Sequence, residues 1–324
     1  MRPTMMAATL GLALAVSGGA HAQEAFKPTR PVELVVHTGP GGGADQLARA
    51  LISIMEKENL VATRFAITPR QGGGSTTAMN YLMEKSGDAH VMAVFTNLYI
   101  TDPLVHKEAK VSMDQLTPVA RLVLEPALVV VRADSPYRSM QDFIAAAKSN
   151  PGKLKQSGGS LLARDNLIRQ LLMRETGADW PFISFPSGGE RVAALLGGHV
   201  DMMMIEAAEI GDLVRSGKLR PIAQIADERI DGFPDVPTLP EAGFKIPGVP
   251  QARGLVGPPN MPPEALRYYS DLFRKMTETP SWQAYAKQNQ IQSAYLDSGA
   301  SRVFMEEYTS LLRDVLKSAN IPMR

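Results

Sequence analysis

The 324-residue chain contains no cysteine, which excludes disulfides, thiol catalysis and thiolate metal sites. A chain of this length can bury a large core without disulfides, and it is long enough for two lobes. The chain also lacks an excess of positive or negative charge, since it contains 34 basic and 33 acidic residues. This balance argues against a nucleic-acid partner, which would need a basic face on the protein.

Patterns that indicate catalysis or metal binding are missing as well. The five histidines do not have the spacing of metal ligands, and the G-x-S-x-G elbow of hydrolases does not occur. No glycine-rich loop is followed by the Gly-Lys-Ser/Thr of a Walker motif. We therefore predict no metal, no cofactor and no enzymatic activity.

Long hydrophobic runs are absent except for a short one at the N-terminus. Residues 5–16 give an apolar stretch of about twelve residues, whereas a membrane span needs roughly twenty. Arg2 precedes this stretch, and Ala20-His21-Ala22 follows it as a cleavage site. We interpret residues 1–22 as a signal peptide, which predicts an exported protein.

Strand, glycine-rich loop and helix patterns alternate along the rest of the chain. The first unit has an apolar run at 32–36, the loop "TGPGGGAD" and an amphipathic helix over 45–55. Four glycine loops precede predicted helices, and they lie at residues 39–43, 72–74, 158–159 and 188–189. This alternation predicts an α/β fold with mainly parallel sheets.

The glycine loops suggest an anion site. A helix N-terminus presents unpaired amides and a partial positive charge, and glycine allows a ligand to approach the backbone closely. Loops of this kind lie at the carboxyl ends of strands, where open α/β sheets bind ligands. Two pairs of loops on two lobes would suit a small molecule with more than one carboxylate. The alternative is that the loops are tight turns that bind nothing.

A dinucleotide site is the main competing interpretation of the first loop, because "GPGGGA" fits the pattern G-x-G-x-x-A. The carboxylate expected near the end of the next strand is missing, since Thr68-Pro69-Arg70 stands there. Arg70 and Arg164 lie near loop tips and are candidates for charge-assisted contacts with an anion. Asp45 is expected to cap its own helix or to accept from amides of the loop.

Several longer segments resemble a known family. The stretches "VVHTGPGGGADQLAR", "GGERVAALLGGHVDMMM" and "DVPTLPEAG" are similar, in this order, to the periplasmic receptors of tripartite tricarboxylate transporters, the Bug-type solute-binding proteins. The resemblance implies a two-lobed, type II-like Venus-flytrap fold, each lobe a mixed or parallel sheet flanked by helices. Lobe one would comprise residues 23–124 and 253–324, and lobe two residues 125–252.

The resemblance also implies a function. Such a receptor works in the periplasm as a monomer, captures a di-, tri- or aromatic carboxylate between its lobes and delivers it to the membrane subunits of the transporter. Two alternatives stay open at this point: a ligand sensor for a signalling membrane protein, and an exported NAD-dependent or hydrolytic enzyme that acts on carboxylates.

The expected ligand contacts come from both lobes. In lobe one they are Thr38, Gly41, Gly42, Gly43, Asp45, Gly72, Gly73, Gly74, Ser75, Thr76, Thr96 and Asn97. In lobe two they are Ser160, Asp165, Gly188 and Gly189, with Arg164 as a charged partner. The sequence departs from the family pattern at Leu161 and Leu162, which indicates either a more apolar pocket, as an aromatic acid would favour, or packing.

Overall fold

The computed structural model describes residues 26–107, 109–226 and 228–324. The predicted signal peptide lies outside these residues. Within the described ranges, every helix is too short or too polar to cross a lipid bilayer.

Two β-sheets organise the chain. The strands are β1 (Val32–Val36), β2 (Phe65–Pro69), β3 (Val91–Phe95), β4 (Thr117–Glu125), β5 (Ala127–Arg132), β6 (Gln156–Gly158), β7 (Phe182–Ser184), β8 (Met202–Glu206), β9 (Leu219–Ile225), β10 (Gln251–Gly257) and β11 (Gln292–Leu296). One sheet has the order β11-β4-β10-β3-β1-β2, and the other has the order β7-β6-β8-β5-β9. The two-lobed α/β architecture expected from the sequence is therefore present.

Both sheets are mixed. Strands β1, β2 and β3 pair in parallel, and β10 joins them by antiparallel pairing with β3. In the second sheet β6 pairs in parallel with β7 and β8, while β5 runs antiparallel to β8 and β9. Each sheet thus contains three parallel strands whose carboxyl ends lie at one edge.

The chain changes sheets twice. It leaves the six-stranded sheet between β4 and β5, where Pro126 separates the two strands, and it returns when β10 begins at Gln251. Proline cannot donate a ladder hydrogen bond, so the continuous apolar run is divided at this position. Part of the apolar core is common to both sheets, since one cluster of buried residues contains Val35 and Ala93 as well as Val129 and Met204.

Ten helices cover the sheets in the described part of the chain. They are α1 (Gly43–Lys57), α2 (Thr76–Glu84), α3 (Leu98–Val105), α4 (Met140–Ser149), α5 (Arg164–Thr176), α6 (Gly188–Leu196), α7 (Ala207–Arg215), α8 (Pro263–Thr277), α9 (Pro280–Gln288) and α10 (Ser298–Ser318). Helix α1 buries Leu47, Leu51 and Met55 on one face, which is the spacing that an amphipathic helix requires.

Some elements differ from the sequence-based expectation. Helices α3 and α9 and strands β6 and β11 were not predicted, because they are short or carry little apolar periodicity. The sequence of the last helix predicts a buried stripe formed by Val303, Phe304, Leu311, Leu312 and Val315, and this is wrong at Val303, which is 55% exposed. The buried face instead follows Met305, Tyr308, Leu312 and Val315, whose steps of three and four residues keep them on one side of the helix.

Candidate functional site

Six helices begin at the carboxyl ends of the parallel strands. Helices α1, α2 and α3 follow β1, β2 and β3, and helices α5, α6 and α7 follow β6, β7 and β8. The N-termini of these helices therefore gather at one edge of each sheet, where their amides and dipoles favour anions.

The first and fourth glycine loops face each other across the two sheets. A Cβ atom placed on Gly188 would lie 3.6 Å from the carbonyl oxygen of Gly41, and one on Gly39 would lie 3.8 Å from that of Pro186. The third loop also approaches the first sheet, because Thr101 Oγ1 donates to the carbonyl of Leu162 at 3.1 Å. Loops that are distant in sequence thus meet in the cleft.

Helix α1 begins at this meeting point, and residues 42–45 in its N-cap and first turn are buried. Its N-cap is Gly42, which has no side chain to accept from the first turn, and the first amides of a helix have no intrahelical partner. Asp45 Oδ2 accepts from the amide of Gly41 at 3.0 Å and from Arg49 Nε at 2.9 Å. Burial opposes its ionisation, but these bonds outweigh burial and lower the pKa of Asp45. Asp45 therefore accepts from a loop amide, whereas the N-cap of the helix is Gly42, which makes no side-chain capping bond.

Helix α6 presents a similar end from the second sheet. Ser187 is its N-cap and accepts from the amide of Glu190. Gly188 and Gly189 form the first two positions of the helix, where the amides lack intrahelical partners. Gly189 is exposed, and a Cβ atom there would meet no described atom within 4 Å.

The second glycine loop is closed by a carboxylate of the protein. Asp102 Oδ2 accepts from the amide of Ser75 at 2.6 Å and from its hydroxyl at 2.8 Å, and Ser75 is fully buried. The amide of Thr76 donates to the carbonyl of Gly73 at 3.0 Å. Gly74 has a φ of +67°, and a Cβ atom there would lie 2.3 Å from Asp102 Oδ2. The amides of Ser75 and Thr76 thus have acceptors within the protein in this structure, and their contact with a ligand stays a prediction.

Replacing Asp102 by alanine tests the role of this carboxylate. The change leaves the buried amide and hydroxyl of Ser75 without their acceptor, so we expect a loss of about 1–3 kcal/mol in the free energy of unfolding. Urea unfolding gives the value, and Asp314→Ala on an exposed face of α10 is the control. A change below about 0.5 kcal/mol would show that Asp102 does not hold the loop.

The third loop is likewise capped from within. Asp165 accepts from the amides of Gly159 at 3.1 Å and Asn166 at 2.9 Å, and it pairs with Arg191 Nη2 at 3.0 Å. Burial raises its pKa, and Arg191 opposes that shift. Asp165 is thus an internal acceptor, and Ser160 Oγ accepts from the amide of Leu162 at 3.3 Å.

The two leucines that depart from the family pattern have different surroundings. Leu162 is buried and belongs to the apolar core, whereas Leu161 is 62% exposed. Packing explains the first of them, and only Leu161 is free to make the pocket more apolar.

Arg164 does not lie at a loop tip, contrary to the sequence-based expectation. It is 4% exposed, and its Nη1 donates to the carbonyls of Glu125 at 2.8 Å and Val249 at 3.0 Å. Its Nη2 donates to Glu206 at 2.9 Å. The guanidinium thus joins segments of the protein to each other. Arg70, the other candidate, lies at the surface with its Cζ 4.1 Å from the ring centre of Tyr81.

Polar atoms with unmet hydrogen-bonding capacity lie at the ends of β1 and β3. Thr38 Oγ1 and Asn97 Nδ2 are buried and have no hydrogen-bond partner among the described residues. Thr96 Oγ1 lies 3.3 Å from His37 Nε2. Burial and the nearby Arg253 lower the pKa of His37 to about 4, so this histidine is neutral at physiological pH. Buried polar atoms without partners are costly, which marks this edge of the first sheet as a place for ligand contacts.

A buried network of charges that was not anticipated from the sequence lies directly behind the helix ends. Arg253 on β10 lies 2.9 Å from Glu125, 3.3 Å from Glu209 and 3.6 Å from Glu206. Its guanidinium fills the space beside Gly43, where a Cβ atom would come within 2.1 Å of Nη1. The signal in the sequence was a charged residue inside or at the end of a buried strand, as in "VARLVLE", "DMMMIE" and "QARGLVG".

The carboxylates of this network differ in their acidity. Burial raises the pKa of Glu125 to about 7, against the opposing effect of Arg253. Burial and the neighbouring Glu206 raise the pKa of Glu209 to about 8. Burial would also raise the pKa of Glu206, but nearby guanidinium groups, led by Arg164, lower it to about 2. Near neutral pH the network therefore contains carboxyl groups that exchange protons.

The described residues contain no group of three or more histidine and acidic side chains arranged to hold a metal ion. What the site offers is a set of helix amides, two orphaned polar side chains and a buried guanidinium. Groups of this kind are suited to binding and orienting an anion.

Known proteins resemble the chain over most of its length. Residues 47–321 match the model of the tripartite tricarboxylate transporter family receptor. A protein encoded in the gbd 5′ region of Cupriavidus necator is 29% identical over 309 residues, which are 94% of this chain and 92% of that protein.

Two solved structures share the fold. The periplasmic binding protein BugD has a TM-score of 0.85 at 22% identity, over 91% of this chain and 99% of its own. MatC from Rhodopseudomonas palustris, solved with bound malate, has a TM-score of 0.81 at 23% identity, over 89% of this chain and 99% of its own. With the family model matched along most of the sequence, the chain belongs to the tripartite tricarboxylate transporter receptor family.

Proposed function

We propose that the protein is a periplasmic receptor that binds a small carboxylate between its two lobes and delivers it to the membrane subunits of a tripartite tricarboxylate transporter. The observation that carries this proposal is the convergence of the N-termini of α1 and α6, with Gly41 of one loop next to Gly188 of the other. Helix ends of this kind bind carboxylates through backbone amides and need no catalytic side chain.

The ligand contacts that the structure supports are fewer than those predicted from the sequence. They comprise the amides at the start of α1 and α6 together with Thr38 and Asn97, because the amides of the second and third loops bind Asp102 and Asp165. Each helix end contributes about 0.3–2 kcal/mol, so several contacts together are needed for micromolar affinity, about 8 kcal/mol.

We assign one lobe to the chain up to Glu125 together with residues 251–324 and the other to residues 126–250, which moves each predicted boundary by one or two residues because β4 ends at Glu125 and β10 begins at Gln251, and we propose a hinge motion between the lobes. The crossings at Pro126 and before β10 are where such a hinge would act. A carboxylate that touches both helix ends binds the closed form better than the open one, and this difference drives closure. A diacid has one carboxylate for each helix end, and MatC was solved with the diacid malate bound.

A change of charge at Gly189 tests the anion site. An aspartate fits there without a clash and is favoured by the dipole of α6, but it repels a ligand carboxylate at the same helix end. We expect Gly189→Asp to keep or raise the melting temperature and to weaken carboxylate binding by about tenfold or more. Isothermal titration with malate, succinate, adipate, citrate and benzoate measures the affinity.

Gly189→Asn is the matched control, because it adds a side chain of the same shape without the charge. It should bind within about threefold of the wild type. Equal affinity in all three proteins would contradict the placement of the anion at α6. Incubation of the protein with NAD and the same acids separates the receptor from an enzyme, because only an enzyme would convert the acid. Capture of the membrane partner distinguishes transport from sensing.

A further inference from the structure

The structure places a cation and an anion of the protein itself between the two helix ends. Arg253 lies against the first turn of α1, within 2.1 Å of the position of a Cβ on Gly43. Glu209 lies against the first turn of α6, where its Oε2 is 2.5 Å from the position of a Cβ on Gly188. Arg253 Nη2 donates to Glu209 Oε1 at 3.3 Å, which joins the two residues across the cleft.

We propose that Arg253 is the anchor for one carboxylate of the ligand, and that Glu209 is a resident counter-ion which this carboxylate replaces. The proposal rests on the proposed function, since it concerns the same site. It adds a specific cation to the helix amides and links ligand binding to the uptake of a proton.

The contacts of Arg253 are suited to exchange. The guanidinium lies 2.9 Å from Glu125, but the two groups are not aligned for a hydrogen bond, and its distances to Glu206 and Glu209 are 3.6 and 3.3 Å. A guanidinium binds a well-oriented carboxylate at about 2.7–2.9 Å, often through two parallel bonds. A ligand carboxylate that also accepts from the amides of α1 would therefore make a better partner than Glu209 does.

The surroundings of Glu209 favour its release. Its side chain is 7% exposed, and the groups that face it are the acids Glu206 on β8 and Glu125 on β4 together with the arginines Arg253 on β10 and Arg191 on α6. Tyr285 on α9 also interacts electrostatically with Glu209. The two acids and burial favour the neutral carboxylic acid, which no longer needs Arg253. Glu209 can thus give up its ion pair by accepting a proton from solvent.

A small cavity gives Glu209 space for this change. It has a volume of about 90 Å³ and is lined by residues of α7, including Glu209, and by Gln288 and Asn289 at the C-terminal end of α9. A volume of this size holds a few waters or a rotated carboxyl group, since one water takes about 30 Å³. The displaced carboxyl group of Glu209 can therefore rotate into a cavity that has polar side chains in its wall.

Isothermal titration with malate, succinate and adipate, in buffers of different ionisation heat, tests the proposal. We expect the wild type to take up a fraction of a proton to about one proton per acid near pH 8, and to bind more tightly as the pH falls. In Glu209→Gln the side chain has the same shape without the charge. This variant should bind about tenfold more tightly near pH 8.5 and take up no proton.

Asp212→Asn is the control, because this acid lies one turn further along α7 and its side chain is 95% exposed. It should retain the affinity and the proton uptake of the wild type. Binding without proton uptake in the wild type, or an unchanged pH dependence in Glu209→Gln, would overturn the inference alone. Absence of binding for every acid would overturn the proposed function as well. The wild-type measurement stands even if the variant is unstable.

Discussion

Replacement of Gly43 by alanine is expected to lower the free energy of unfolding by about 3 kcal/mol or more. The added Cβ would lie 2.1 Å from Arg253 Nη1, 2.2 Å from Nη2 and 2.5 Å from Cζ. The end of an arginine side chain normally moves aside at little cost. Here the side chain is 7% exposed and three carboxylates surround its guanidinium, so any displacement separates buried charges.

Urea unfolding of Gly43→Ala measures this effect, and Gly189→Ala is its matched control. Both glycines lie in the first turn of a helix, but a Cβ on Gly189 meets no described atom. The control should be neutral or stabilising by up to about 1 kcal/mol, because alanine favours the helix. In an Arg253→Ala background the cost of Gly43→Ala should largely disappear, since the clash is removed. An equal cost in both backgrounds would show that the guanidinium is not the cause.

Arg253→Met is expected to be the second strongly destabilising change, and its cost should depend on pH. The methionine keeps most of the volume of the side chain but leaves Glu125, Glu206 and Glu209 without their shared cation. Near pH 8 we expect a loss of about 3–5 kcal/mol in the free energy of unfolding, the usual cost of breaking a buried ion pair.

The direction of the pH effect follows from the pKa values. Glu125 and Glu209 have folded-state pKa values of about 7 and about 8, above the ordinary value of 4.5. Between the ordinary pKa of 4.5 and these folded-state values, the folded protein binds more protons than the unfolded chain. The free energy of unfolding therefore falls as the pH rises through this range. Glu206, at about 2, has the opposite effect, and its contribution is lost as the pH falls below 4.5. The wild type should therefore be most stable near pH 5.

At about pH 5 the loss in Arg253→Met should be smaller than at about pH 8, because protonated Glu125 and Glu209 do not need a cation. Urea unfolding at both pH values measures the difference. The control is Arg274→Met, whose arginine is 44% exposed and pairs with Asp271 and Glu278 at the surface. Such pairs contribute at most about 1 kcal/mol, so the control should change little at either pH. The same loss at both pH values would mean that these acids stay ionised.

The elements that carry local signals were predicted from the sequence. The run at 32–36, the glycine loop after it and the amphipathic spacing of Leu47, Leu51 and Met55 are local patterns, and they gave β1, its loop and α1. Helix α3 and strand β11 lack such patterns, because they owe their form to packing against other elements. In α10 the prediction was correct for Leu312 and Val315, which are buried, and wrong for Val303, which is apolar but lies on the exposed side.

The candidate site was also predicted only in part. The glycine loops were found because glycine is required where backbone turns or close approach demand it. Their partners were not found: Asp102 lies 27 residues from Ser75, and Arg253 lies 44 residues from Glu209. No local pattern reports such pairs. Arg164 was predicted to lie at a loop tip for the same reason. Its partners Glu125, Glu206 and Val249 are far from it in sequence, and they hold it inside the protein.

The sequence by itself determined the family, the alternation of strands and helices, and the four glycine loops, because each of these depends on residues that are neighbours along the chain. The tertiary structure decided which of those loops remain open. Asp102 of α3 occupies the second loop and Asp165 of α5 the third, while Arg253 lies beside the first turn of α1 and Glu209 beside that of α6. The physical reason is that a helix end attracts any nearby anion, and only the fold determines whether the protein supplies one itself.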